Sequence, residues 1–207
     1  MENRDGQEKL IAQATKELLQ EQGPPLPNYA SVSEQSGLSR QLIKYYFNEP
    51  DDLMCRVCDL LTDAYRAAIA HGVLELNGPP RLHFIFDFYF DMVEENRKPR
   101  DDQTYDAAFA YAAGSEKVRT NLRNQYTLLG QVLQFEIKTQ FPDLSHEDCA
   151  EISYLFVTIM YGHWKMVASL GLNEDHKLIA RRSIDRLIAS FANNDVERAG
   201  IVRVWET

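Results

Sequence analysis

The stretch Asn28-Tyr-Ala-Ser-Val-Ser-Glu-Gln-Ser-Gly-Leu-Ser-Arg-Gln-Leu-Ile-Lys-Tyr-Tyr-Phe47 decides how this chain folds. It predicts two short helices hinged at Gly37. Small or apolar residues at Val32, Ser33 and Ser36 let the first helix pack closely on the second. Gly37 supplies the backbone freedom for a sharp turn, Leu38 plugs the angle, and Ser39 is placed to cap the next helix. Ile43, Tyr46 and Phe47 then fall at helical spacing on the inner side. Arg40, Gln41, Lys44 and Tyr45 point outward, a set of side chains able to meet phosphates and base edges. The unit is a helix-turn-helix, and such a unit near an N-terminus usually reads DNA.

On the N-terminal side, Leu10, Ile11, Ala14, Leu18 and Leu19 recur at helical spacing and give a first helix one buried face. Gly23, followed by Pro24, Pro25 and Pro27, stops that helix, and Asn28 is an N-cap for the next. On the C-terminal side, Pro50 suits a first helical position, with Asp51 and Asp52 complementing the positive helix end. That helix continues through Leu53, Val57, Leu60, Leu61, Ala64 and Ala68 to the break at Gly78-Pro79-Pro80. Residues 81–97 are crowded with aromatic and aliphatic side chains and predict a helix covered on most sides. A shorter helix is expected over Gln103–Ala113 and, after Gly114-Ser115, a long one to about Gln140. Phe141-Pro142 ends it, with Asp143 or Ser145 as the next cap. His146–Leu170 is apolar nearly all round, Gly171 closes it, and Asn173–Ala192 forms another helix. Only Ile201–Trp205 has any strand character. The expected fold is all-α with about nine helices. Residues 1–50 form a three-helix head, and residues 51–207 form a long helix and a helical body for ligand binding and dimerisation.

Residues 8–60 resemble the DNA-binding region of the tetracycline-repressor (TetR) family of transcriptional regulators. The resemblance rests on the leading helix from Leu10 to Gly23, the turn Ser36-Gly-Leu-Ser39, the aromatic close Tyr45-Tyr-Phe47, and Asp51-Asp-Leu53 opening a long helix. It covers about a quarter of the chain, and Leu42, Lys44 and Pro50 depart from the family's usual residues. It implies that Asn28, Ser39, Arg40, Gln41, Lys44 and Tyr45 meet a double-stranded operator. Arg40 suits phosphate or guanine and Gln41 suits adenine. It implies a homodimer on a palindromic site, paired through about His146–Leu170 and Asn173–Ala192, with Gly162 permitting close helix approach. It also implies a small-molecule effector that controls a repressor. Phe84, Phe88, Tyr89, Met92, Tyr105, Phe109, Tyr126, Met160, Tyr161, His163 and Trp164 would line its pocket. Aromatic and Met residues at helical spacing are equally the material of plain core, and His163 in an apolar run reads first as a core histidine.

Composition bounds the rest. The 207 residues are 44% hydrophobic and 26% charged, an ordinary globular balance. The charged start has no apolar h-region, no apolar run approaches a bilayer span, and three cysteines fit a reducing interior. The expected location is therefore the cytoplasm, away from membranes. Cys55-Arg-Val-Cys58 has helical spacing that is poor for a disulfide, and packing is its better reading. The chain has no phosphate-binding glycine loop, no His-Glu-x-x-His and no nucleophile elbow, so neither an enzyme nor a cofactor or metal is expected. Asp87, Asp91 and Glu94 form a helical stripe that could attract a cationic ligand, but its extension by His83 and Lys98 makes a solvated polar face the first reading. The formal net charge is −9, and residues 1–50 hold five bases against seven acids, a net of −2. Phosphate neutralisation supplies most non-specific DNA affinity. The acidic balance therefore keeps open an alternative, a helical dimer with little DNA affinity that acts as a small-molecule-binding or adaptor protein.

Overall fold

Helix boundaries fall where caps and breakers put them. The computed structural model describes residues 2–75, 81–94, 101–193, 197, 204 and 205, and among these it contains nine α-helices and no strand. They are α1 (Glu2–Gln22), α2 (Tyr29–Ser36), α3 (Arg40–Tyr46), α4 (Pro50–Glu75), α5 (Arg81–Tyr89), α6 (Asp102–Ala112), α7 (Glu116–Gln140), α8 (His146–Trp164) and α9 (Lys177–Ala192). Gly23 closes α1 in the left-handed conformation at φ 70°, its N–H returning to Leu19 O at 2.9 Å. Ser145 caps α8 in a reciprocal box with Asp148.

Contacts gather the chain into two units, residues 1–66 with 100–125, and residues 67–99 with 126–207. In the first, Ile11, Leu18, Val32, Ile43, Phe47 and Leu53 form one buried cluster. Ala12, Leu19, Met54, Val57 and Cys58 form a second with Ala107, Ala108 and Ala112 of α6 and Val118 and Leu122 of α7. Each fully buried large side chain contributes about 1.5–3 kcal/mol relative to exposure. Polar clips add direction. Lys16 Nζ and Gln20 Nε2 both reach Asp101 Oδ1, at 2.9 and 2.7 Å, fastening the start of α6 to α1.

The second unit has an aromatic core. Phe156 of α8 meets Phe86 of α5 at 4.7 Å between ring centroids, and Tyr89 and Phe90 each at 5.9 Å. Trp164 Nε1 donates to Tyr89 O at 2.8 Å. Arg181 of α9 is buried yet charged. It donates to Asp87 at 2.5 Å and to Asp185 at 2.6 Å, contacts His83 Nδ1 at 3.2 Å, and lies over the Phe86 ring. Burial works against that charge, but the hydrogen bonds the guanidinium donates to Asp185 and Asp87 outweigh it and raise its pKa.

Several expected boundaries are corrected. The helix predicted over 81–97 ends at Tyr89. Met92 N bonds back to Asp87 O at 2.9 Å, and Asp91 sits at φ 54°, left-handed backbone that cannot continue an α-helix. Lys177 Nζ holds the Asp91 carbonyl at 2.9 Å, so a tertiary contact from the start of α9 stabilises the turn. The Asp87–Asp91–Glu94 stripe is therefore not a helical face: Asp87 pairs with Arg181, Asp91 is buried and Glu94 is exposed. Lys98 and the Gly78–Pro80 break lie outside the described residues. The helix expected to reach Leu170 ends at Trp164, continues as a π-type turn over Lys165–Ser169, and is closed by Gly171 at φ 69°. The Asn173 helix begins as a single 3-10 turn, Glu174–His176. Of Ile201–Trp205, only Val204 and Trp205 are described, and they lie in a turn.

Candidate nucleic-acid interface and ligand site

The head is built from the bend outward. Asn28 Oδ1 accepts from the N–H groups of Ala30 and Ser31, at 2.9 and 3.1 Å, and so opens α2. Gly37 takes φ 71° and caps α2 through its N–H to Ser33 O. Ser33 Oγ donates to Leu38 O at 2.6 Å across the bend, and Ser39 Oγ accepts from Leu42 N at 3.2 Å to start α3. Ile43 is fully buried and Phe47 nearly so, while Tyr29 of α2 ties the end of α3 through its hydroxyl to Phe47 O at 2.7 Å. These anchors leave Ser39, Arg40, Gln41, Lys44 and Tyr45 exposed, Tyr45 at 72%. Asn28 is exposed too, its amide oxygen engaged in the cap. Among the described residues no ion pair joins Arg40 or Lys44 to an acid.

Three acids of the head have partners of their own. Glu17 accepts from Gln13 and Gln35, both at 2.9 Å, and these hydrogen bonds hold its pKa below the ordinary carboxylate value. Asp5 pairs with Arg56 at 3.0 Å and Glu8 with Arg4 at 2.9 Å. Sequence reasoning missed a carboxylate clamp at the start of α4. Asp51 accepts from Ser115 Oγ at 2.5 Å and from Tyr111 OH at 2.8 Å, and Lys117 bonds Asp52. The Ser115 bond, then the Tyr111 bond, lowers the Asp51 pKa. Burial and then that same bond push the Tyr111 phenol up to about 12. The partners are about sixty positions apart in sequence, so no local signal could have revealed them.

The residues expected to line a ligand pocket are divided between the two units. Tyr105 and Phe109 lie on α6 in the first unit, partly buried. Phe84, Phe88, Tyr89, Met160, His163 and Trp164 are buried in the second unit. There Phe84 stacks on Phe88 at 6.1 Å, and His163 packs between Phe90 at 5.8 Å and Trp164 at 4.9 Å. Tyr126 and Tyr161 are partly buried, and Met92, on the turn after α5, is 36% exposed. A cavity of about 670 Å³ opens elsewhere, in the first unit, between the Pro24–Asn28 segment, Tyr29, Pro50, and Ala107, Ala110 and Tyr111 of α6. Only Asn28 among the expected site residues lines it. The proline run signalled a loop, and the small residues of α6 that open the space carry no signature.

Among the described residues no helix is long and apolar enough to cross a membrane, and no cluster of His, Cys, Asp and Glu could hold a metal ion. Cys55 and Cys58 are free thiols, pushed up by burial to about 11 and about 12, which agrees with packing rather than redox work.

No protein-family sequence model matches the chain, and no curated protein matches it in sequence. Solved structures do match in fold. A TetR transcription regulator from Haloarcula marismortui ATCC 43049 superposes with a TM-score of 0.75 at 20% identity, covering 90% of this chain and 98% of that one. A transcriptional regulator from Rhodococcus sp. Rha1 gives 0.70 at 16% identity, covering 92% and 98%. A proposed transcriptional regulator from Saccharomonospora viridis, solved in complex with choline, gives 0.69 at 16% identity, covering 89% and 96%. Over about nine-tenths of its length this chain has the all-α fold of the TetR-family transcriptional regulators.

Proposed function

We propose that the protein is a ligand-responsive DNA-binding transcriptional regulator, a repressor that acts in the cytoplasm as a homodimer on a palindromic operator. The observation that carries this reading is the exposed face of α3. Arg40, Gln41, Lys44 and Tyr45 project from a helix whose other side is locked into the head by Ile43 and Phe47. Side chains on a recognition helix reach base edges in the major groove, and capped helix starts such as that at Asn28 meet phosphates. Residues 1–50 serve as the reading head and residues 51–207 as the ligand-binding and dimerisation body. The dimer forms through α8, α9 and the turns between them. Support comes from the large apolar side chains this region leaves exposed, among them Leu170 at 67% and Ile179 at 64%. An effector held by the aromatic core of the second unit favours a spacing of the two heads that no longer fits successive major grooves.

The test is to select DNA fragments with the purified protein and measure affinity against salt. Enrichment of one palindrome, with affinity falling steeply as salt rises, supports the regulator. A folded dimer that enriches no site at low salt overturns it. The head's net charge of −2 favours a specific second reading, a helical dimer with little DNA affinity that binds small molecules or serves as an adaptor. That outcome of the selection is its signature.

A further inference from the structure

Trp205 occupies a seat between α7 and α8 that neither the head nor the aromatic core uses. Its indole Nε1 donates to Ser153 Oγ at 2.8 Å. Its ring tilts at 60° to Tyr154, with centroids 5.6 Å apart. Its six-membered ring lies directly over Gly130, where a Cβ would overlap the ring atoms. Thr127 Oγ1 donates to the Trp205 carbonyl at a long 3.4 Å. Ser153 is fully buried and spends its own hydrogen on Ala150 O at 2.7 Å, which turns an oxygen lone pair toward the indole N–H. Three features match an indole: a flat floor without a side chain, an aromatic wall and a pre-oriented acceptor. Indole offers a ring and a single N–H donor and accepts nothing in return.

We propose that this seat is a recognition site for neutral indole-bearing molecules, that its resident occupant is the chain's own Trp205, and that a small indole ligand competes with the tail for it. The groups that meet the ring are uncharged, so the ligand class is neutral. A ring of the same shape without the N–H leaves the Ser153 lone pair unmet, and a polar site rejects such an analogue far more strongly than one that lacks a methylene. The tethered indole is present at high effective concentration, which makes the free ligand a weak competitor in the intact chain and a strong binder once the tail is shortened or altered.

The experiment uses indole itself as probe. In Trp205→Ala the vacated seat is expected to bind indole saturably at one site, at least ten-fold more tightly than the unaltered chain. Naphthalene should bind that variant at least ten-fold more weakly than indole. The double variant Gly130→Leu/Trp205→Ala, whose floor is filled, should show no such site. Equal indole affinity in the unaltered chain and Trp205→Ala, binding that survives the double variant, or no binding to folded Trp205→Ala overturns the proposal. A second measurement covers a Trp205→Ala variant that fails to fold. Trp205→Phe keeps a ring in the seat but not the N–H, so indole should bind that variant several-fold more tightly than the unaltered chain, and equal affinities also overturn the proposal.

Discussion

Arg40 and Lys44 are the two cations of the α3 face, and both are exposed. Arg40→Ala and Lys44→Ala should each weaken operator binding, by roughly 1–3 kcal/mol where a base edge is read and less for a phosphate contact, with a shallower salt slope in the latter case. Fluorescence anisotropy against a selected operator measures both effects, and circular dichroism should show unchanged folding. If neither variant loses affinity, α3 is not the reading helix. Asp51 gives a second prediction. Its pKa is lowered, so the stability it contributes is fully present above the unfolded carboxylate value near about 4, and is lost as pH falls through the folded value. Ser115→Ala removes the bond that does most of the lowering. It should cost about 1 kcal/mol at neutral pH, roughly 2–4 °C in Tm, beyond the pH-independent loss of the bond Ser115 Oγ accepts from Val118 N at 3.2 Å, so the gap from the unaltered chain should narrow but not vanish as the solution is acidified. A Tm difference that does not change between pH 7 and pH 3 would show that the Asp51 charge is not what Ser115 serves.

At the scale of elements, what was legible was what is local. Gly37, Ser39 and Asn28 announce the bend and caps of α2 and α3 because each acts on backbone within a few residues of itself. The same holds for Ser145 at α8 and Gly171 after it. The end of α5 was not legible, because the residues from Phe90 to Val93 carry no breaker. The turn there is held by Lys177, more than eighty positions away. The exposed face of α3 followed from periodicity, whereas the division of the aromatic residues between the α6 region and the α5–α8 core depends on packing partners that spacing does not specify. The Lys16–Asp101 clip is of this second kind, and Asp101 is 1% exposed. Breaking a buried ion pair by removing one partner costs about 3–5 kcal/mol, because the other charge is stranded. Lys16→Ala is therefore expected to lower stability by several kcal/mol in urea titration, and Lys16→Met/Asp101→Leu to recover most of it. If the single variant loses under about 1 kcal/mol, α6 is not fastened by that pair.

For the whole molecule, the exposed apolar residues around the end of α8 and the start of α9 predict self-association. Ile179→Glu places a charge on that surface and should shift sedimentation from dimer toward monomer while the helical content stays constant. An undisturbed dimer moves the interface elsewhere. The acidic total of −9 bears on the same scale: under the proposed function, long-range repulsion from DNA leaves more of the affinity to specific contacts at α3 than a basic head would need. The buried clusters of the first unit carry a further implication, for inheritance. Leu53, Ala107, Ala108, Val118 and Leu122 complete the packing beneath α1–α3, and Asp51 is gripped by Tyr111 and Ser115. A gene fusion that grafts only the first fifty codons onto a foreign sensor would transfer the exposed side chains of α3 without the scaffold that shapes that helix. A head that keeps its packing on transfer must therefore include the segment around residues 100–125, from which Asp51 and the second cluster draw their partners.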